Sequence, residues 1–247
     1  MAASAADLAG HLKALDAERQ RRAGLPGLPA RVNALKAFQQ RRFSRTYADL
    51  LASVRYGPAA RYFLSELYGP SDFTKRDAQF ARVAPTIVRV FPKELAETIA
   101  ALAELHALSE ALDTAMGLAL ANESITPVDY IGAWQRVGRA GDREHQVALT
   151  LNIAAHLDRV TRLPLLRNAL RLMRGPARAA GLAELQRTLE SGFDIFRAMK
   201  GAQQFIATIG EREQAFAAEL FAAGSASTGD GAALARALTW LPEQSGG

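Results

Sequence analysis

Residues 93–122 read KELAETIAALAELHALSEALDTAMGLALAN. Pro92 stands just before them, and proline suits the start of a helix, where its missing amide would have no intrahelical partner. Leucine and alanine then continue for about eight turns at 3.6 residues each. The spacing predicts a long central helix over 93–122. Elsewhere the apolar residues also recur at three and four, and no run alternates as a half-buried strand would, residues 86–91 being the one segment open to that reading. The expected fold is all-α, a single-domain bundle of about nine or ten helices.

Downstream, Thr126-Pro127-Val128-Asp129 reads as an N-cap, a proline at the first helical position and an acid in the first turn. Helices are predicted over 127–140 and 142–161, then from Pro164 to a stop at Gly175-Pro176. Two more run over 182–199 and 201–223, where Leu185, Leu189, Phe193 and Phe196, then Phe205, Ile209, Phe216 and Leu220, keep helical spacing. Upstream, Leu8, Leu12 and Leu15 mark an amphipathic helix that Gly24 to Pro29 closes. Val32, Leu35, Phe38, Phe43, Tyr47, Leu50 and Leu51 mark another over 31–55. The expected organisation is an N-terminal helix and linker over 1–29, a helical core over 30–223, and a flexible tail with one short helix over 224–247. No repeat of solenoid period is present.

Between residues 55 and 93 the chain turns sharply. In Arg61 to Asp77, RYFLSELYGPSDFTKRD, an aromatic helix ends at Gly69-Pro70 and a new helix begins at Thr74, whose hydroxyl and Asp77 have capping-box spacing. Pro85 is expected to kink or split that helix, which runs to Phe91.

The stretch Phe63-Leu64-Ser65-Glu66-Leu67-Tyr68-Gly69-Pro70-Ser71-Asp72-Phe73, with Arg76-Asp77, resembles the Phe-Leu-x-Glu-Leu-Tyr-Gly-Pro-x-Asp-Phe pattern of an uncharacterised family of proteobacterial all-helical proteins. The block Leu189 to Met199 is similar to that family's second signature. The resemblance covers most of residues 40–222 and implies no activity.

The chain of 247 residues is 49% apolar, enough for a sizeable core. It has no cysteine, which removes disulfides, thiolate metal sites and cysteine nucleophiles. Asp7 and His11 interrupt the start where a secretory signal needs an apolar run, and no segment approaches 18 uncharged apolar residues, so a cytoplasmic protein without a membrane span is expected. Five of the 30 basic residues are lysine and the rest arginine; the net charge is +5.

Two constellations could carry function. In the central helix His106, Glu110 and Asp113 lie within about 60° of one another, flanked by Leu102 and Met116. The helix beginning near Asp142 aligns His145, Asn152 and His156 beside Leu149, and Glu213 interrupts a later apolar stripe. Meeting in space with Glu66, these side chains could form a central pocket that ligates a metal or haem, or a buried acid–base pair. The plainer reading is polar positions that bond to one another and fix helix register. No Glu-x-x-His and no His-Glu-x-x-His occurs, against di-iron and zincin sites.

The second is electrostatic: Arg167, Arg171, Arg174 and Arg178 follow i, i+4, i+7, i+11, one stripe if the helix survives Gly175-Pro176. Guanidinium groups grip oxyanions two at a time, so anions, nucleic acid or an acidic partner fit it. No aromatic residue interleaves the stripe and no helix-turn-helix is present, which disfavours nucleic acid. A solvated face, or salt bridges to Glu184 and its neighbours, is the plainer account. Phosphate loops, dinucleotide fingerprints and nucleophile elbows are absent. The leading expectation is therefore a non-catalytic interaction or regulatory protein, bound to a protein partner or to a second copy. A ligand-binding or enzymatic bundle and an anion binder are the alternatives.

Overall fold

The computed structural model describes residues 5–66, 79, 82–83, 93–225 and 231–243. Twelve helices and no strand occur among the described residues: α1 (Ala5–Ala23), α2 (Leu28–Thr46), α3 (Ala48–Ala52), α4 (Gly57–Glu66), α5 (Lys93–Ala119), α6 (Pro127–Val137), α7 (Ala140–Val160), α8 (Pro164–Leu172), α9 (Arg174–Ala179), α10 (Ala183–Ala198), α11 (Gln203–Ser225) and α12 (Gly231–Thr239). The chain is an all-α single domain, with a few more helices than the sequence predicts. The extra ones are short: α3 continues α2 after a break at Tyr47, and α9 follows α8 after Met173.

Gly175-Pro176 does not stop the chain as expected. It falls in the first turn of α9, where the missing proline amide costs no bond, and Ala177 N donates to Met173 O at 2.8 Å to close that turn. The predicted cap at α6 is present in full. Thr126 Oγ1 accepts from Asp129 N at 3.1 Å, and Asp129 Oδ2 accepts from Thr126 N at 3.0 Å. The Gly69-Pro70 stop, the cap at Thr74, the Pro85 kink, the strand-like residues 86–91 and most of the tail at 224–231 lie outside the described residues, as does the side chain of Glu66. Gln79, Arg82 and Val83 are helical, and Gln79 Oε1 accepts from Leu185 N at the start of α10.

α5 is the axis, packed against α1, α2, α6 and α7. α1 lies on the body and buries Leu8 and Leu15. Gly117 lets α2 approach α5, since a Cβ there would stand 2.6 Å from Val32 Cγ2 and 3.0 Å from Leu28 Cδ1. Two apolar clusters make the core. Leu35, Phe38, Met116, Tyr130, Trp134, Phe216 and Leu220 form one, and α12 adds Ala237 to it. Phe43, Tyr47, Tyr56, Phe63, Phe196, Met199 and Phe205 form the other. α2 and α11 each contribute to both clusters, so polar side chains between those helices sit where the two meet.

Candidate functional site

α2 carries Lys36, Gln39 and Arg42 every third residue, a polar row beside the apolar Leu35 and Phe38. That row joins the acids that the sequence singles out. Lys36 Nζ donates to Glu110 Oε1 at 3.1 Å and lies 3.8 Å from Asp113 Oδ2. Gln39 Nε2 donates to Asp113 Oδ1 at 3.4 Å. Arg42 takes Glu213 with both terminal nitrogens, at 2.5 and 3.1 Å, and Tyr47 Oη donates to the same carboxylate at 2.7 Å. From α1, Arg22 Nη2 donates to Glu110 Oε2 at 2.5 Å and Arg19 Nη2 to Oε1 at 3.5 Å.

The environments of the two α5 acids differ. Burial alone would raise the Glu110 pKa, but the charges and hydrogen bonds of Lys36 and Arg22 outweigh it and hold the group at about 2. Asp113 goes the other way: burial pushes its carboxyl up, helped by the charge of Glu110 and opposed by Lys36 and Arg143. Burial also raises the Tyr130 phenol, against Arg42 and Arg143. For Arg42, burial would lower the pKa, and the Glu213 carboxylate reverses that, so the net direction is up. The guanidinium stands 4.3 Å over the Phe216 ring, and Arg143 stands 4.1 Å over Trp134. Charges held this way are spent on one another, an arrangement suited to fixing the register of α1, α2, α5 and α11.

Of the pocket candidates, the structure thus joins Glu110, Asp113 and Glu213 through α2. His106 is half-buried, one turn before Glu110 on α5. His156 is on α7, where Arg159 Nη2 lies 3.2 Å from its Nδ1. His145 faces solvent and pairs with Glu104 at 2.7 Å. Among the described residues, no three His, Asp or Glu side chains converge as a metal ion would need. A cleft of about 240 Å³ does exist, but at the junction of α7, α10 and α11. It is lined by Asp158, Arg162, Phe196, Arg197, Lys200 and Gly201, and by none of the pocket candidates.

The arginine stripe divides. Arg167 Nε pairs with Asp194 Oδ1 at 2.9 Å, and Arg174 Nε reaches both oxygens of Glu190 at 2.8 and 2.9 Å, so these two clamp α8 and α9 to α10. Arg174 holds the Glu190 carboxyl at about 2. Arg171 and Arg178 are exposed. Glu190 and Asp194 lie one turn apart on α10, so that helix receives two arginines of the stripe.

Several residues at these sites carry no motif. Lys36, Arg42 and Arg143 complete the interior network, and Asp158 anchors the cleft. A signal was available for Arg42: it follows Leu35 and Phe38 on an apolar row, as Glu213 falls between Ile209 and Phe216, and opposite charges on two apolar rows are natural partners.

Fold and site together define an all-helical single-domain protein whose interior is crossed by an ion-paired network. The chain belongs to the family described as a domain of unknown function, DUF8198, whose family model matches residues 18–227. This agrees with the resemblance to an uncharacterised family. No curated protein and no solved structure matches the chain. No helix among the described residues is long and apolar enough to cross a membrane.

Proposed function

We propose that this protein acts by binding a protein partner rather than by catalysis, with α8 and α9 as the contact surface. One observation carries the reading. Leu172 and Met173, adjacent at the junction of these helices, are 78% and 50% exposed, with the exposed Arg171 and Arg178 on either side. Leu189, on the α10 helix that packs against α8, is exposed as well. Scattered exposed leucines are ordinary, but apolar side chains grouped within a basic surround match an interface, with apolar anchors at its centre and charges that steer the approach. The complementary partner is a segment with an apolar anchor and acidic flanks. The interior supports the reading too, since Glu110 and Glu213 are engaged by cations and serve packing.

A photo-reactive amino acid placed at Leu172, with a control at the 99% exposed Val54, tests it. The expected result is a discrete adduct from position 172 alone, weakened by Arg171→Glu with Arg178→Glu and by added salt. An adduct at twice the chain mass would identify a second copy as the partner. Equal yields from both positions, or turnover of a substrate in a metabolite screen, would remove the reading.

A further inference from the structure

We propose that the cleft where α7, α10 and α11 meet binds a phosphate or phosphomonoester dianion. The inference does not rest on the partner-binding reading and uses none of its residues.

Four cations surround the turn from Met199 to Gly201. Arg162, Arg197 and Lys200 line the cleft of about 240 Å³. Arg55 approaches from the turn before α4, donating from Nε to Met199 O at 2.8 Å and from Nη2 to Gly201 O at 2.9 Å. The guanidinium groups of Arg55 and Arg162 both reach Gly201: a Cβ there would lie 3.8 Å from Nη2 of the first and 3.6 Å from Nη2 of the second. Asp158 already pairs with Arg162, whereas Arg55 is engaged by two backbone carbonyls, which carry no full charge to offset its own. Gly201, at φ 116°, lets the backbone turn here, and Gln203 Oε1 stands nearest to where its Cβ would be, at 3.0 Å.

Among the described residues Asp158 is the only carboxylate in the lining, and it is 4% exposed. Its Oδ1 accepts from Ala202 N at 3.0 Å, and its Oδ2 accepts from Arg162 Nη2 at 2.6 Å and Gln203 Nε2 at 3.2 Å. Those bonds satisfy it within the wall, and they also occupy the backbone ahead of α11. The anion is therefore held by side chains, not by a helix terminus. In the lining itself three cations, Arg162, Arg197 and Lys200, stand against this one carboxylate, a net of two positive charges around a space that admits a phosphate with a few carbon atoms. Guanidinium pairs suit the tetrahedral oxygens, and the Lys200 ammonium adds a point charge at the rim.

Lys200 also provides the test. It sits at φ 52°, where glycine is at ease and lysine is not. Lys200→Gly removes the charge while relieving the backbone, so lost binding cannot be blamed on a damaged fold. Arg197→Gln is the second variant, and Arg162 is left alone because it holds Asp158. Calorimetry and thermal melts of the full chain would use inorganic phosphate, glycerol 3-phosphate and phosphatidic acid vesicles at constant ionic strength. Inorganic phosphate should raise the melting temperature beyond an equal ionic strength of chloride. Each variant should weaken binding about tenfold, the usual scale for losing one charged hydrogen bond. Glycerol 3-phosphate bound in preference to vesicles would assign a soluble ligand, and the reverse would assign a lipid headgroup. Failure of all three probes to bind, or binding that both variants retain, overturns the proposal.

Discussion

Arg42 on α2 and Glu213 on α11 form a two-pronged ion pair where the two apolar clusters meet, with Nη1–Oε1 at 2.5 Å and Nη2–Oε2 at 3.1 Å. Phe216 lies under the guanidinium and Tyr47 bonds the carboxylate, so each partner is held on two sides. Removing one charge strands the other in the interior. Arg42→Ala or Glu213→Ala should each cost about 3–5 kcal/mol, whereas Arg42→Met with Glu213→Leu should come close to the parent. Urea unfolding of the three variants measures this. Single substitutions costing no more than an exposed pair would show that the bridge does not join the clusters.

Glu110 and Asp113, one turn apart, should respond to acid in opposite directions. Glu110 is held at about 2, below its ordinary 4.5, so its contribution is complete above about pH 4.5 and is lost as pH falls towards 2. Glu110→Gln should therefore remove roughly 2–3 kcal/mol at neutral pH and flatten the acid limb of the stability curve. The raised pKa of Asp113 makes its ionised form the unfavourable one in the folded state, and protonation on acidification relieves it. Asp113→Asn, which can still accept from Gln39, should be neutral or stabilising at pH 7. Unfolding midpoints from pH 3 to 7 distinguish the two, and parallel curves would contradict the assignment.

Two glycines record close helix crossings. A Cβ at Gly117 meets the branched Val32 side chain at 2.6 Å, so Gly117→Ala should lose about 1–3 kcal/mol to overpacking despite a better helix propensity. Val32→Ala should recover part of that loss. At Gly192 the obstacle is the Tyr62 hydroxyl at 3.0 Å, the far end of a side chain that donates to Thr188 O. Gly192→Ala should consequently be the milder change. Thermal melts rank the variants, and an undiminished melting temperature for Gly117→Ala would count against the tight crossing.

Much of this was readable from single residues. Thr126 and Asp129 declared their cap, because a capping box is completed within four residues. Glu110, Asp113 and Glu213 stood out as acids on apolar faces. Their partners did not, since Lys36 and Arg22 are ordinary surface residue types until α1 and α2 are folded onto α5. The cleft was the least legible feature. Asp158, Arg162, Lys200 and Arg55 come from three distant parts of the chain, and no local spacing relates them. Gly175-Pro176 misled because the same dipeptide suits a helix's first turn as well as its end.

Asp158 ties the end of α7 to the start of α11, which gives a prediction with a local readout. Its carboxylate accepts from the buried Ala202 amide, from Arg162 and from Gln203. Asp158→Ala leaves the amide without an acceptor, at a cost of about 1–3 kcal/mol. The loss should be concentrated where the carboxylate acts. Hydrogen exchange should quicken at residues 200–206, while the amides of α11 around Glu213, anchored by Arg42, keep their protection. Asp158→Asn preserves one oxygen for the Ala202 amide but turns its own amide donors towards Arg162 and Gln203, so it should fall between the parent and Asp158→Ala. Uniform loss of protection along α11 would mean instead that Asp158 supports the whole helix rather than its first turn.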